Sequence, residues 1–66
     1  MVYTVREVAS IIKTNKQIVY GLINRGLLIA MKLGSLKIRK ETLEAFLKQY
    51  EGYDLSDLDN IKKLGV

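Results

Sequence analysis

Cysteine and histidine are both missing from this 66-residue chain, and their absence narrows its chemistry at once. Without cysteine there are no disulfides, iron–sulfur clusters or thiolate zinc sites, and without histidine the commonest remaining metal ligand and general base is gone. Proline is absent too. The longest uninterrupted apolar run, Leu27-Leu28-Ile29-Ala30-Met31, falls far short of the ~18 residues a membrane span needs. The stretch MVYTVREVAS carries charges and has no signal-peptide core, so a cytoplasmic protein without membrane contact is expected. Acids are scarce in one region only: residues 1–50 hold nine Lys/Arg against three acids, or +6, while residues 51–66 hold two against four, or −2. The first fifty residues therefore carry a basic surface.

What is present describes a small folded domain. With 48% hydrophobic and 27% charged residues the chain is globular in composition. At this length it buries only roughly 60% of the surface its unfolded form exposes, so its stability rests on a thin core. Glu7, Glu41, Glu44 and the aspartates near the end have no His, Cys or Gly-rich loop to work with. No catalytic constellation follows, and no cofactor.

Thr4-Val5-Arg6-Glu7 has the form of a capping box and predicts a helix start. Val5, Val8, Ala9 and Ile12 then lie on one apolar stripe, which ends near Lys13, with Arg6, Glu7, Ser10 and Lys13 left for solvent. Asn15 is a second cap, and Lys16 to Arg25 places Ile18, Val19, Leu22 and Ile23 on one face. Gly26 stops that helix. Two short helices about three residues apart have helix-turn-helix spacing, in which the second is the recognition helix. Its polar face is Lys16, Gln17, Tyr20, Gly21 and Asn24, without an acid. Lys16 and Gln17 are placed to reach bases or phosphates, and Gln17 and Asn24 have the chemistry to pair with adenine. Tyr20 is either a phosphate donor or a half-buried tyrosine.

From Leu27 the pattern alternates, and Gly34-Ser35 predicts a two-residue hairpin turn. That register sets Leu33 against Leu36 and Met31 against Ile38 on the inner face. On the outer face Lys32 meets Lys37 and Ala30 meets Arg39. Like charges so opposed cost stability unless phosphate lies beside them, so, if the pair is a phosphate contact, Lys37→Glu is expected to abolish DNA binding and to leave the fold intact or slightly more stable. Two readings of these cations stand at this point: solubility and edge protection, or a phosphate-binding face. A third helix spans about Lys40 to Tyr50, with Leu43, Phe46, Leu47 and Tyr50 inward and Gly52 closing it. Its start, Arg39-Lys40, puts cations at a positive helix end, which reflects either a poor cap overridden by packing or a site for bound phosphate. Leu55, Leu58, Ile61 and Leu64, after a Ser56 cap, predict a short helix at about 56–64. The layout is a mostly helical α+β domain over residues 1–52 and an acidic tail over residues 53–66.

YTVREVASII, NKQIVYGLINRGLL and LGSLKIRKETLEAFL together resemble the small winged helix-turn-helix proteins of the excisionase family, which share their DNA-binding core with MerR-type regulators. The resemblance covers about residues 3–48. It implies a winged helix-turn-helix, with Glu7 and Ala9 in the scaffold, Asn15 as the cap of the recognition helix, Lys16, Gln17 and Tyr20 on its DNA face, and Arg25-Gly26 as the turn into the wing. Asn15, Lys16, Gln17, Tyr20, Asn24 and Arg25 are then the recognition-helix contacts, and Lys32, Ser35, Lys37, Arg39 and Lys40 those of the wing and the helix after it. Two departures stand out: the wing is one residue shorter than the family pattern, and Arg39 replaces a proline. A tighter wing is expected, with Ser35 at its tip and the lysine pair on its flank making contact. The implied function is that of a mobile-element protein that binds and bends double-stranded DNA near an attachment site, associates cooperatively on repeated sites and directs an integrase toward excision. Sixteen residues after Tyr50 leave no room for the long dimerisation helix of a MerR-type regulator. A small phage or plasmid transcription regulator is the alternative, and an adaptor that docks a partner through its leucine-rich tail is the second.

Overall fold

The computed structural model describes residues 1–64. Strand β1 (Val2–Thr4) leads directly into helix α1 (Val5–Ile11), and helix α2 (Lys16–Asn24) follows a short turn. Strands β2 (Met31–Leu33) and β3 (Ser35–Arg39) form a hairpin, helix α3 (Lys40–Gln49) follows without a break, and β4 (Tyr53–Asp54) pairs with β5 (Lys62–Lys63). No helix among the described residues is long and apolar enough to cross a membrane.

Local chemistry sets each helix end. The Glu7 carboxylate accepts from the Thr4 backbone N–H at 2.8 Å, and the Thr4 hydroxyl accepts from the Glu7 N–H at 3.1 Å, so the capping box is complete. At the other end of α1 the N–H of Thr14 donates to the Ala9 carbonyl and that of Lys13 to the Ser10 carbonyl. This is the Schellman closure, and it holds Lys13 at φ +58°, a conformation that normally favours glycine. Asn15 caps α2 through its side-chain oxygen, which accepts from the Ile18 N–H at 2.9 Å. The helix closes in the same way as the first, with Leu27 N–H donating to Leu22 and Gly26 at φ +74°.

Val5, Val8, Ala9, Val19, Leu22, Leu28, Ile38, Leu43 and Phe46 form the core. Each of the three helices and the middle strand contributes to it. β3 is central in a sheet ordered β1-β3-β2, and β1 pairs with it antiparallel, Tyr3 opposite Ile38 and Thr4 opposite Lys37. The third strand was not anticipated: three residues before a cap are too few for an alternation to register.

The hairpin register differs from expectation. Met31 lies opposite Lys37, Lys32 opposite Leu36, and Leu33 opposite Ser35, so the chain reverses about Gly34 alone, at φ +76°. The Lys32–Lys37 pair is therefore not formed. A one-residue slip turns every side chain to the other face, and its cause lies upstream. The Leu28 N–H continues the closure of α2 by donating to the Leu22 carbonyl, which drops Leu28 into the core at 1% exposure. Alternation from that anchor sends Ile29, Met31 and Leu33 outward, and all three are exposed, whereas Leu36 and Ile38 remain inside.

The C-terminal segment also departs from its expected helix. The Asp54 carboxylate takes the backbone N–H of Ser56, and that of Asp57 takes the N–H of Asp59. Such local turns divert donors that a helix would need. The segment instead folds as a loop between β4 and β5, with Leu55 and Leu58 half-buried against the core. Tyr50 joins it to α3, lying 5.1 Å from Phe46 and 5.8 Å from Tyr53 between ring centroids. The last two residues of the expected 53–66 unit lie outside the described residues.

Candidate nucleic-acid interface

The start of α1, the first turns of α2 and the near end of β3 enclose an open groove of about 440 Å³. Thr4, Val5, Arg6, Lys16, Tyr20, Ser35 and Leu36 line it, and no acid does. Position along α2 explains the arrangement. Val19 and Leu22 are buried, so Lys16 and Tyr20 fall on the side toward the hairpin, Gln17 and Asn24 point away from the core, and Gly21 and Arg25 fall on the far side. Asn15, Lys16, Gln17 and Asn24 are exposed, and Tyr20 is 44% exposed. Arg6 was assigned to solvent from its place on a polar helix face. The packing of α1 against α2 brings it to the groove that Lys16 lines, and β3 closes another side of that groove.

Ser35, Lys37 and Arg39 alternate along β3 on one face, outward from the core. The Lys37 ammonium donates to the Ser35 hydroxyl at 2.6 Å, which carries its charge toward the tip of the hairpin. Lys32, on the inner side by register, is still exposed because the hairpin extends past the core. Arg39 and Lys40, also exposed, open α3, where Arg39 makes no side-chain cap. The cationic start has its own relief, however. Glu41 lies 3.8 Å from the Arg39 guanidinium, and the Lys40 N–H donates to the Met1 carbonyl. The Glu41 carboxyl is held below its ordinary range by its own backbone N–H, then by Arg39, the N-terminus and Lys40. Packing and local charge thus contribute to stabilising this start, and both cations stay exposed.

Arg25 is separated from the other expected contacts. Its Nε lies 2.8 Å from Asp59 Oδ1 and its Nη2 3.2 Å from Oδ2, while Nη1 donates to the Gly21 carbonyl. Hydrogen bonding to Arg25, then its charge, lowers the Asp59 pKa, and the pair raises that of Arg25. Because the folded-state pKa of Asp59 is the depressed one, its contribution to tail docking is present above the unfolded carboxyl value of ~3.9 and fades as pH falls through the folded value. Leu58 packs beside the same turn, its Cδ1 only 3.0 Å from where a Cβ on Gly21 would stand. Glycine at 21 therefore admits the tail against α2.

A helix-turn-helix domain model matches residues 2–50. No curated protein and no solved structure gives a significant match. Among the described residues no cluster of His, Cys, Asp or Glu has metal-binding geometry.

Proposed function

Because the chain belongs to the helix-turn-helix domain family, which includes excisionase-like DNA-binding domains, we propose that it binds duplex DNA with α2 in the major groove and the β2–β3 hairpin as a wing. One observation carries this reading: Lys16 and Tyr20 of α2 share a groove with Arg6 of α1 and with Ser35 and Leu36 of the hairpin, and no acid lines it. Lys16 and Tyr20 in the groove, and Gln17 and Asn24 on the exposed face of the same helix, meet base edges and phosphates, with Asn15 holding the helix start. Arg6, Lys32, Lys37, Arg39 and Lys40 neutralise phosphates, and Ser35 approaches the backbone beside Lys37. Arg25 joins them only by leaving Asp59.

At the finer level the reading is that of an excisionase-like factor of a mobile element, cooperating with further copies of itself on repeated sites and with an integrase. The sequence resemblance supports this role, and a compact transcription regulator shares the same chemistry. The adaptor reading has less support, since Leu55 and Leu58 pack against the chain's own core and only Leu64 of its apolar series is largely exposed. A gel-bending assay and a recombination assay with the integrase encoded nearest this gene separate the first two. The excisionase reading predicts a bent complex and excision that depends on this protein. A bent complex with no effect on excision would leave the regulator.

A further inference from the structure

The tip of the hairpin is apolar where a phosphate-binding wing needs polarity. Leu33 is 69% exposed and stands opposite Ser35 across the single residue Gly34. A Cβ built on Gly34 would meet nothing within 4 Å, so the tip projects into open space. The Ser35 hydroxyl is engaged by Lys37, and that ammonium lies just behind the tip on the same face as Leu33. Ile29 and Met31, also exposed, are set back from the tip beside Lys37, Arg39 and Thr42 along a shallow concavity of about 200 Å³. Leu33 alone leads.

We propose that Leu33 is a wedge that enters the minor groove and partly unstacks one base step, bending the duplex. The proposal rests on the DNA-binding reading and adds the residue, the groove it enters and the base step it opens. Its chemistry is a branched apolar side chain on a two-stranded ribbon, with Lys32 and Lys37 flanking it to hold phosphates on either side of the groove. Apolar side chains that part a base step recover the cost of unstacking through the extra contacts that a bent duplex allows. Flexible pyrimidine–purine steps open most readily, so Leu33 would favour TA or CA steps at a position where no hydrogen bond reads the base. The shortness of the turn suits this role, because a single glycine between two paired residues leaves the tip narrow.

The test uses the full chain and a duplex that it enriches from a random-sequence library, with 2-aminopurine placed in turn at each step flanking the major-groove site. Wild type is expected to raise the fluorescence severalfold at one step and to bend the duplex. Leu33→Ser should abolish that increase and cut the bend by more than half, with affinity reduced about tenfold or less, while Leu33→Met keeps both effects. Circular dichroism of each variant confirms that the fold is retained. Salt-dependent binding by wild type without any fluorescence increase would overturn the wedge and leave DNA binding standing. An unchanged increase in Leu33→Ser would overturn it as well, as would a Leu33→Ser defect confined to cooperativity between copies, which would make Leu33 a protein contact. Failure to enrich any duplex, with no salt-dependent binding, would remove the DNA-binding reading and the wedge with it.

Discussion

Lys37→Glu is expected to lower affinity for duplex DNA at least tenfold at ~100 mM salt and to make the dependence of log K on log salt shallower by about 1–2 units. Lys37 occupies the central strand, between Thr4 on one side and Met31 on the other, and reaches forward to Ser35. Reversing its charge removes a phosphate partner and sets a carboxylate against the backbone. Stability should change by less than about 0.5 kcal/mol, as for an ordinary surface substitution. The register removes the gain once expected from relieving a Lys32–Lys37 clash, since those residues are not paired. Competition binding across a salt series, with a thermal melt of the variant, measures both effects. Retained affinity would remove the hairpin from the interface.

The other large effect is on the fold. Ile38→Ala removes a side chain with no exposed surface, on the one strand that pairs on both sides and that also packs beneath the helices. Truncations of this kind cost about 2–5 kcal/mol, through lost transfer energy and the cavity left behind. A core in a chain of this size rarely supplies more than ~3–5 kcal/mol in all. The variant is therefore expected to be largely unfolded at 25 °C by circular dichroism, and to lose duplex binding for that reason. A cooperative melt close to that of wild type would mean that the sheet is not seated on the helices through Ile38. Together the two substitutions separate the surface of β3 from its core: Lys37 and Ile38 are neighbours in sequence, and only one of them should matter to folding.

The features legible in the sequence are those decided within a few residues. Thr4 with Glu7, Asn15 with Ile18, and the glycines at 26, 34 and 52 act through bonds or backbone angles that span three or four positions, and each stands where it was expected. Helices α1 and α2 followed from their caps and apolar spacing, and α3 from its spacing alone. The features missed depend on residues far apart. Whether the hairpin turns on one residue or two was settled by Leu28, anchored through the end of α2, which inverted the faces of β2. The β1 strand exists because β3 offers it an edge. In the last segment, apolar residues every third position suggested a helix, but Asp54 and Asp57 bond to the backbone two residues on, and Leu55 and Leu58 turn to the core while Leu64 stays exposed.

The candidate interface divides in the same way. Lys16, Gln17, Tyr20 and Asn24 were legible because helical geometry alone fixes their common face. Arg6 was not, since its place in the groove follows from how α1, α2 and β3 pack together. Arg25 entered the expected contacts through the resemblance, as part of the turn into the wing, and its guanidinium pairs with a carboxylate 34 residues later. The acidic segment thus covers one flank of α2 while the basic hairpin borders the other. Any duplex in this site would meet unequal fields on its two sides, with Lys32, Lys37 and Arg39 on the hairpin side and Asp59 on the other.

The most direct test of the whole account is the affinity of the full chain for a duplex between ~50 and ~200 mM salt. If four to six of the cations Arg6, Lys16, Lys32, Lys37, Arg39 and Lys40 meet phosphates, the log–log slope should be about −4 to −5, and affinity should fall by roughly two to three orders of magnitude over that range. A change of less than about threefold would contradict the account, because a surface of this charge cannot hold a duplex through its cations and be indifferent to salt.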